Sequence, residues 1–234
     1  MTLPSTTPLR AIILDFDGVI LESNELKTMA FERVFARFSE YAADMMAYHH
    51  AHVSESRFAK FTHLVTDRLG RPPDDPLVAE LAGAFSAEML RLIGACPMVP
   101  GAAEFLSAVG ARVPLYLASV TPQEELEVIL DRRGLSASFA RVYGCPPWPK
   151  AQAIREILAS VGTVGGVLFV GDSAGDQRAA HETGVEFIAR DSGLPFAAPP
   201  PRAFADMHGV LAAIAGRLPL LQTARPAGVS GTRN

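Results

Sequence analysis

Arg10-Ala11-Ile12-Ile13-Leu14-Asp15-Phe16-Asp17-Gly18 is a short apolar run that ends abruptly in two carboxylates and a glycine. A continuous apolar run of this length reads as a strand buried on both faces, as in a covered parallel sheet. Charge at its carboxyl end lies where open parallel sheets bind ligands. Three later stretches repeat the pattern. Residues 113–118 are apolar and give way to Ser119 and Thr121, residues 167–170 stop at Gly171-Asp172, and residues 185–189 stop at Arg190-Asp191. Helical patterns fall between them, at roughly 122–133, 150–161 and 174–183, and a last helix is expected over 203–218. Strands alternating with helices predict an α/β fold, a Rossmann-like core whose parallel sheet is flanked by helices.

Residues 20–98 break that rhythm. They carry helical spacing (Leu26, Met29, Ala30, Val34 and Phe38, then a second helix over about 77–93 after the Pro72–Pro76 turn) and no strand run. The expected organisation is a core domain from residues 1–19 and 99–221, an inserted all-helical cap over 20–98, and a disordered tail over 222–234. Pro100-Gly101 marks the return to the core.

Composition narrows the function. The chain has 234 residues, 49% of them apolar, and a net charge of 21 − 25 = −4. A mildly acidic globular protein has no global attraction to nucleic acid or to an anionic membrane. The first apolar run is far short of the roughly 20 residues of a spanning helix. Cys96 and Cys145 form no disulfide framework, so a reducing, cytoplasmic setting is expected. The histidines at 49, 50, 52 and 63 fit no tight zinc spacing. Lys27 is a candidate substrate-side residue, and Arg57, Lys60 and Arg68 read as a solvated helix face, with contact to an anionic substrate as the alternative.

The strand ends set the chemistry. Asp15, Asp17, Asp172 and Asp176 bring four negative charges toward one cleft, and like charges this close oppose one another's ionisation. An oxygen-only donor set selects a hard divalent ion, so Mg²⁺ is the expected cofactor. Lys150 adds one positive charge, and no other lysine lies between Lys60 and the C-terminus.

Four motifs in order resemble the haloacid dehalogenase superfamily over residues 10–190, in particular its phosphoglycolate phosphatase and β-phosphoglucomutase-like branch. Asp15-Phe16-Asp17-Gly18-Val19 is similar to the first motif, DxDGx, and Ser119 to the second. Lys150 is similar to the third, although Ala151 follows it where proline is frequent. Gly171-Asp172-Ser173-Ala174-Gly175-Asp176 is similar to the fourth, GDxxxD.

The resemblance implies roles. Asp15 would be the nucleophile, forming an aspartyl phosphate, and Asp17 the general acid and base. Mg²⁺ would be held by Asp15, by the Asp17 carbonyl and by Asp172. Asp176 would bind it through water or orient Lys150. Ser119, with the Val120 amide, would contact a phosphate oxygen, Lys150 would offset charge on the phosphoryl group, and Gly18 would turn the chain toward the cap beside the substrate. The implied activity is Mg²⁺-dependent hydrolysis of a small phosphorylated metabolite, with a sugar phosphomutase of the β-phosphoglucomutase type as the alternative and a non-catalytic phosphate-binding protein behind it. A monomer or homodimer with no nucleic-acid or membrane partner is expected.

Overall fold

A computed structural model describes residues 6–220, so the tail expected over 222–234 lies outside the described residues. The chain begins with β1 (Ala11–Leu14), then leaves the sheet for α1 (Asn24–Phe35), α2 (Ala42–Ala51), α3 (Arg57–His63, continued by a π turn over Leu64–Arg68) and α4 (Pro76–Leu92). It returns through α5 (Ala102–Gly110), β2 (Leu115–Ser119), α6 (Gln123–Arg132) and β3 (Arg141–Gly144). It continues with α7 (Lys150–Val161), β4 (Val167–Gly171), α8 (Ala174–Thr183), β5 (Glu186–Arg190), β6 (Ala203–Phe204) and α9 (Met207–Ile214).

The six strands form one sheet in the order β3-β2-β1-β4-β5-β6, and every neighbouring pair is parallel. This is the α/β Rossmann-like arrangement expected. β1 lies in the middle, which explains why it is apolar throughout: Ile12 and Leu14 face one core cluster, and Ala11 and Ile13 face the other. Strand order reverses between β1 and β4, and a crevice opens at such a point beyond the carboxyl ends of the strands. The register Leu14↔Val170 sets Asp15 beside Gly171 there, with the Asp15 amide donating to the Val170 carbonyl at 2.9 Å.

Two expectations need correction. The last helix does not start at Ala203: β6 occupies Ala203–Phe204, and α9 starts after Asp206, whose carboxylate accepts from the Gly209 amide at 2.8 Å. That side chain supplies an N-cap, and the backbone before it is extended. Arg57 and Lys60 are no solvated face either, because both are buried, at 5% and 1% exposure.

The α1–α4 block packs an aromatic centre of Phe31, Phe35, Phe61 and Phe85, with ring centroids 4.4–6.2 Å apart. Its two connections to the core run side by side. Leu21 bridges to both Asp17 and Met98, Glu22 donates its amide to the Pro97 carbonyl, and Val99 donates to Ile20. Among the described residues no helix is long and apolar enough to cross a membrane.

Candidate active site

β1, β2 and β4 deliver Asp15, Ser119 and Asp172 to one end of the sheet, and α7 and α8 deliver Lys150 and Asp176. Asp15 is held on both oxygens. Oδ1 accepts from the Phe16 amide at 2.7 Å, and Oδ2 lies 3.1 Å from Lys150 Nζ. Lys150 also reaches Asp176 Oδ1 at 2.5 Å. The other oxygen of Asp176 accepts from the amides of Asp172 and Ser173 and from the Ser173 hydroxyl, at 3.2, 3.1 and 2.7 Å. Asp176 therefore ties the first turn of α8 in a capping box and aims Lys150 at Asp15. Gly171 is needed here, since a Cβ on it would run into the Asp176 side chain.

Asp15, Asp172 and Asp176 offer carboxylate oxygens within 4.8 Å of one another. Burial raises Asp15 well above the usual carboxylate range, and the charge of Asp176 adds to it; Lys150 opposes the rise. Burial and Asp176 push Asp172 to about 6, against the opposing hydrogen bonds of Ser192 and Asn24. Asn24 Nδ2 donates to Asp172 Oδ2 at 2.7 Å. Gly18 lies against the same carboxylate. Its φ is +72°, and a Cβ there would fall on Asp172 and Asn24, so glycine is required by both backbone and space.

Asp17 stands apart from the three. Its Oδ1 accepts from the Ser23 hydroxyl at 2.5 Å, and its Oδ2 meets Lys27 Nζ at 2.5 Å and the Thr121 hydroxyl at 3.2 Å. Burial alone would raise Asp17, but the Lys27 ammonium and the two hydroxyls outweigh it and hold the acid below its ordinary value. Ser119 is buried, and its Oγ accepts from the Thr121 amide at 3.0 Å, which turns the chain after β2.

These side chains face a cavity of about 330 Å³ beneath the cap, lined by Asp15, Asp17, Lys150 and Asp172 from the core and by Lys27, His49 and Ser54 from the cap, with Val120 at its edge. The cap is fastened over it. Ser54 Oγ accepts from the Gly175 amide at 3.1 Å at the start of α8, and Arg57 grips Glu125 of α6 at 2.5 and 2.8 Å.

The donor set fits a divalent cation by charge. Asp17 and Lys27 cancel. Asp15, Asp172 and Asp176 carry −3 when ionised and Lys150 returns +1, which leaves a deficit of two charges on oxygen donors. Sequence reasoning missed the contacts made by Ser23, Asn24 and Thr121. Asn24 and Ser23 follow the first motif directly, and their polar side chains at the start of α1 were the available signal.

A family model described as haloacid dehalogenase-like hydrolase matches residues 12–190. No curated protein matches the chain. Among solved structures, a haloacid dehalogenase-like family hydrolase from Streptococcus pneumoniae superposes with a TM-score of 0.66 at 19% identity, covering 87% of this chain and 97% of its own. A predicted phosphoglycolate phosphatase from Haemophilus somnus gives 0.70 at 17%, covering 89% and 98%. CbbY from Rhodobacter sphaeroides, solved in complex with phosphate, gives 0.68 at 19%, covering 88% and 99%. These likenesses establish a shared fold. The family match runs from the first strand of the core to the end of the fifth, and the protein belongs to the haloacid dehalogenase-like hydrolases.

Proposed function

We propose that the protein is a Mg²⁺-dependent phosphatase that hydrolyses a small phosphorylated metabolite through an aspartyl phosphate on Asp15. The observation that carries this reading is the Asp15 carboxylate, held 3.1 Å from Lys150, beside Asp172 and Asp176, facing a covered cavity whose fixed charge falls short by one divalent cation. A cavity of about 330 Å³ suits a small ester, and the cap leaves no room for a phosphoprotein.

The chemistry follows from the side chains. Asp15 Oδ attacks phosphorus, the Asp15–phosphorus bond forms, and the ester oxygen leaves. The Asp17–Lys27 pair carries the proton that the departing alkoxide takes. Water then attacks phosphorus, returns a proton to that pair and releases phosphate from Asp15. Lys150 holds the nucleophile and offsets charge on the transferring oxygens. Asp15, Asp172 and the Asp17 carbonyl would hold Mg²⁺, which when bound supplies positive charge against the phosphoryl oxygens. Ser119 and Val120 would contact the phosphate from the end of β2.

Phosphate release from a panel of phosphorylated metabolites, with Mg²⁺ and with chelator, tests the reading. Metal-dependent release is expected, and Asp15→Asn should lower it by at least about a thousandfold while the fold survives. Near-parental turnover by Asp15→Asn would sink the nucleophile assignment. Isomerisation of a sugar phosphate without net release would instead identify a mutase.

A further inference from the structure

The cap carries a polar cluster that the chemistry at Asp15 leaves unused. Lys60 on α3 is 1% exposed and His49 on α2 is 4% exposed. Lys60 Nζ lies 2.9 Å from His49 Nδ1, and Thr28 Oγ1 lies 3.0 Å from His49 Nε2. The Thr28 hydroxyl donates to the Asn24 carbonyl at 3.3 Å, so its oxygen accepts from His49 Nε2–H, and Nδ1 keeps its lone pair for Lys60. Burial, with the charges of Lys60, His50 and Lys27, lowers this imidazole to about 3 and keeps it neutral.

Lys60 makes no ion pair among the described residues. The other cations nearby are engaged, Lys27 with Asp17 and Arg57 with Glu125. Glu55, the nearby carboxylate, accepts from the Tyr48 hydroxyl at 3.0 Å. A buried ammonium without a counterion is expensive, and the face of Phe31 at 4.7 Å offsets only part of the cost. His49 takes one of the three N–H donors of Lys60 and leaves two.

Lys60 lines a chamber of about 40 Å³ together with Lys27, His49, Phe31, Val120 and Thr121, among others. Lys27, His49 and Val120 also line the main cavity, so the chamber adjoins the space in front of Asp15. One water-sized sphere needs roughly 10–15 Å³, so the chamber holds a group of carboxylate size more readily than a phosphate.

We propose that Lys60, oriented by His49, receives a carboxylate borne on the alcohol half of the phosphoester, so that the enzyme selects substrates with a second negative charge on the leaving group. This rests on the phosphatase reading above. A carboxylate entering the chamber supplies the counterion that Lys60 lacks, and an uncharged leaving group leaves its remaining N–H donors unpaired. Lys60 and His49 sit on different helices of the cap, so the selection is made by the lid and the chemistry by the sheet.

Calorimetric binding of non-hydrolysable phosphonates to the Mg²⁺-loaded protein tests the proposal. One series carries a terminal carboxylate at increasing chain length, a second carries a methyl group in its place, and a third is made of bisphosphonates. The carboxylate series should bind about tenfold or more tighter than its methyl isosteres at the best length. Lys60→Met should collapse that ratio to near one, and Lys60→Arg should retain part of it. Thermal unfolding confirms that each variant is folded. Equal binding of the first two series to the parent, or a ratio that survives in Lys60→Met, would overturn the subsite while leaving the phosphatase reading intact. A preference confined to bisphosphonates would overturn the carboxylate assignment. Failure of every phosphonate to bind would remove the phosphatase reading and the subsite with it.

Discussion

Lys60 shows how much one buried charge can say. Burial first, and the charge of Lys27 second, lower its amine to about 7 against an ordinary value of 10.5, with Glu55 working the other way. Between those two values the unfolded chain holds a proton that the folded protein does not. The folded state therefore gains stability as pH rises from about 7 toward 10.5 and loses it as pH falls back through that window, by at most about 1.4 kcal/mol per pH unit. Chemical denaturation across this range should show that slope in the parent and a flatter one in Lys60→Met. Equal slopes would mean that Lys60 is protonated throughout. The titratable and charged groups around this amine are His49 from α2, Lys27 from α1 and Glu55 from the turn before α3, and Arg57 of α3 lines the same chamber. At this scale the sequence was legible where a residue's chemistry is fixed by its own strand. Asp15, Asp17, Asp172 and Asp176 follow apolar runs and announce themselves. Lys27 stands out as a candidate but its partner does not, and Lys60 reads first as solvated, because the partner of each lies on another element: Lys27 meets Asp17 beyond β1, and Lys60 meets His49 on α2.

Between elements, the joint of α3 with α6 matters most for the cap. Arg57 and Glu125 pair through two hydrogen bonds with both side chains buried, and Arg57 also donates to Ser86 at 2.6 Å. Removing one partner strands the other charge, so Arg57→Met should cost about 3–5 kcal/mol in urea unfolding. Arg57→Met with Glu125→Met should cost markedly less than either single change, because both charges then leave together. A double variant as unstable as the sum of the singles would show that the pair is not coupled. Strands were legible from sequence when both faces are covered, as in β1, β2, β4 and β5. The two edge strands were not. β3 reads Arg-Val-Tyr-Gly with its first residue exposed, and β6 is two residues long, so neither presents an apolar run. The start of α9 was misplaced for a related reason: the capping role of Asp206 outweighs the apolar residues before it.

The whole molecule is a charged crevice closed by a helical lid, and its stability should report the ion it lacks charge for. Mg²⁺ that binds the folded state alone stabilises it by about 2.7 kcal/mol at a hundredfold excess over the dissociation constant. Thermal unfolding should therefore shift upward with Mg²⁺ in the parent. Asp172→Asn should lose most of that shift and, without the ion, be at least as stable as the parent, since the lost carboxylate is one that burial and Asp176 already hold back from ionising. No Mg²⁺-dependent shift in the parent would remove the cation from the proposal. The paired connections at Leu21 bear on how such a chain assembles. Ile12 must find Leu115 to join β1 to β2, a contact between distant parts of the sequence that is slow to form in an open coil. The helices between them make many contacts with one another, as α1 does with α2 and α4. Once they collapse, Ile20 and Val99 come together, and the long search between strands becomes the closure of a short loop. The lid thus also bears on assembly: with its helices packed and Ile20 joined to Val99, the chain that the pairing of β1 with β2 has to close is much shorter than the span from Ile12 to Leu115.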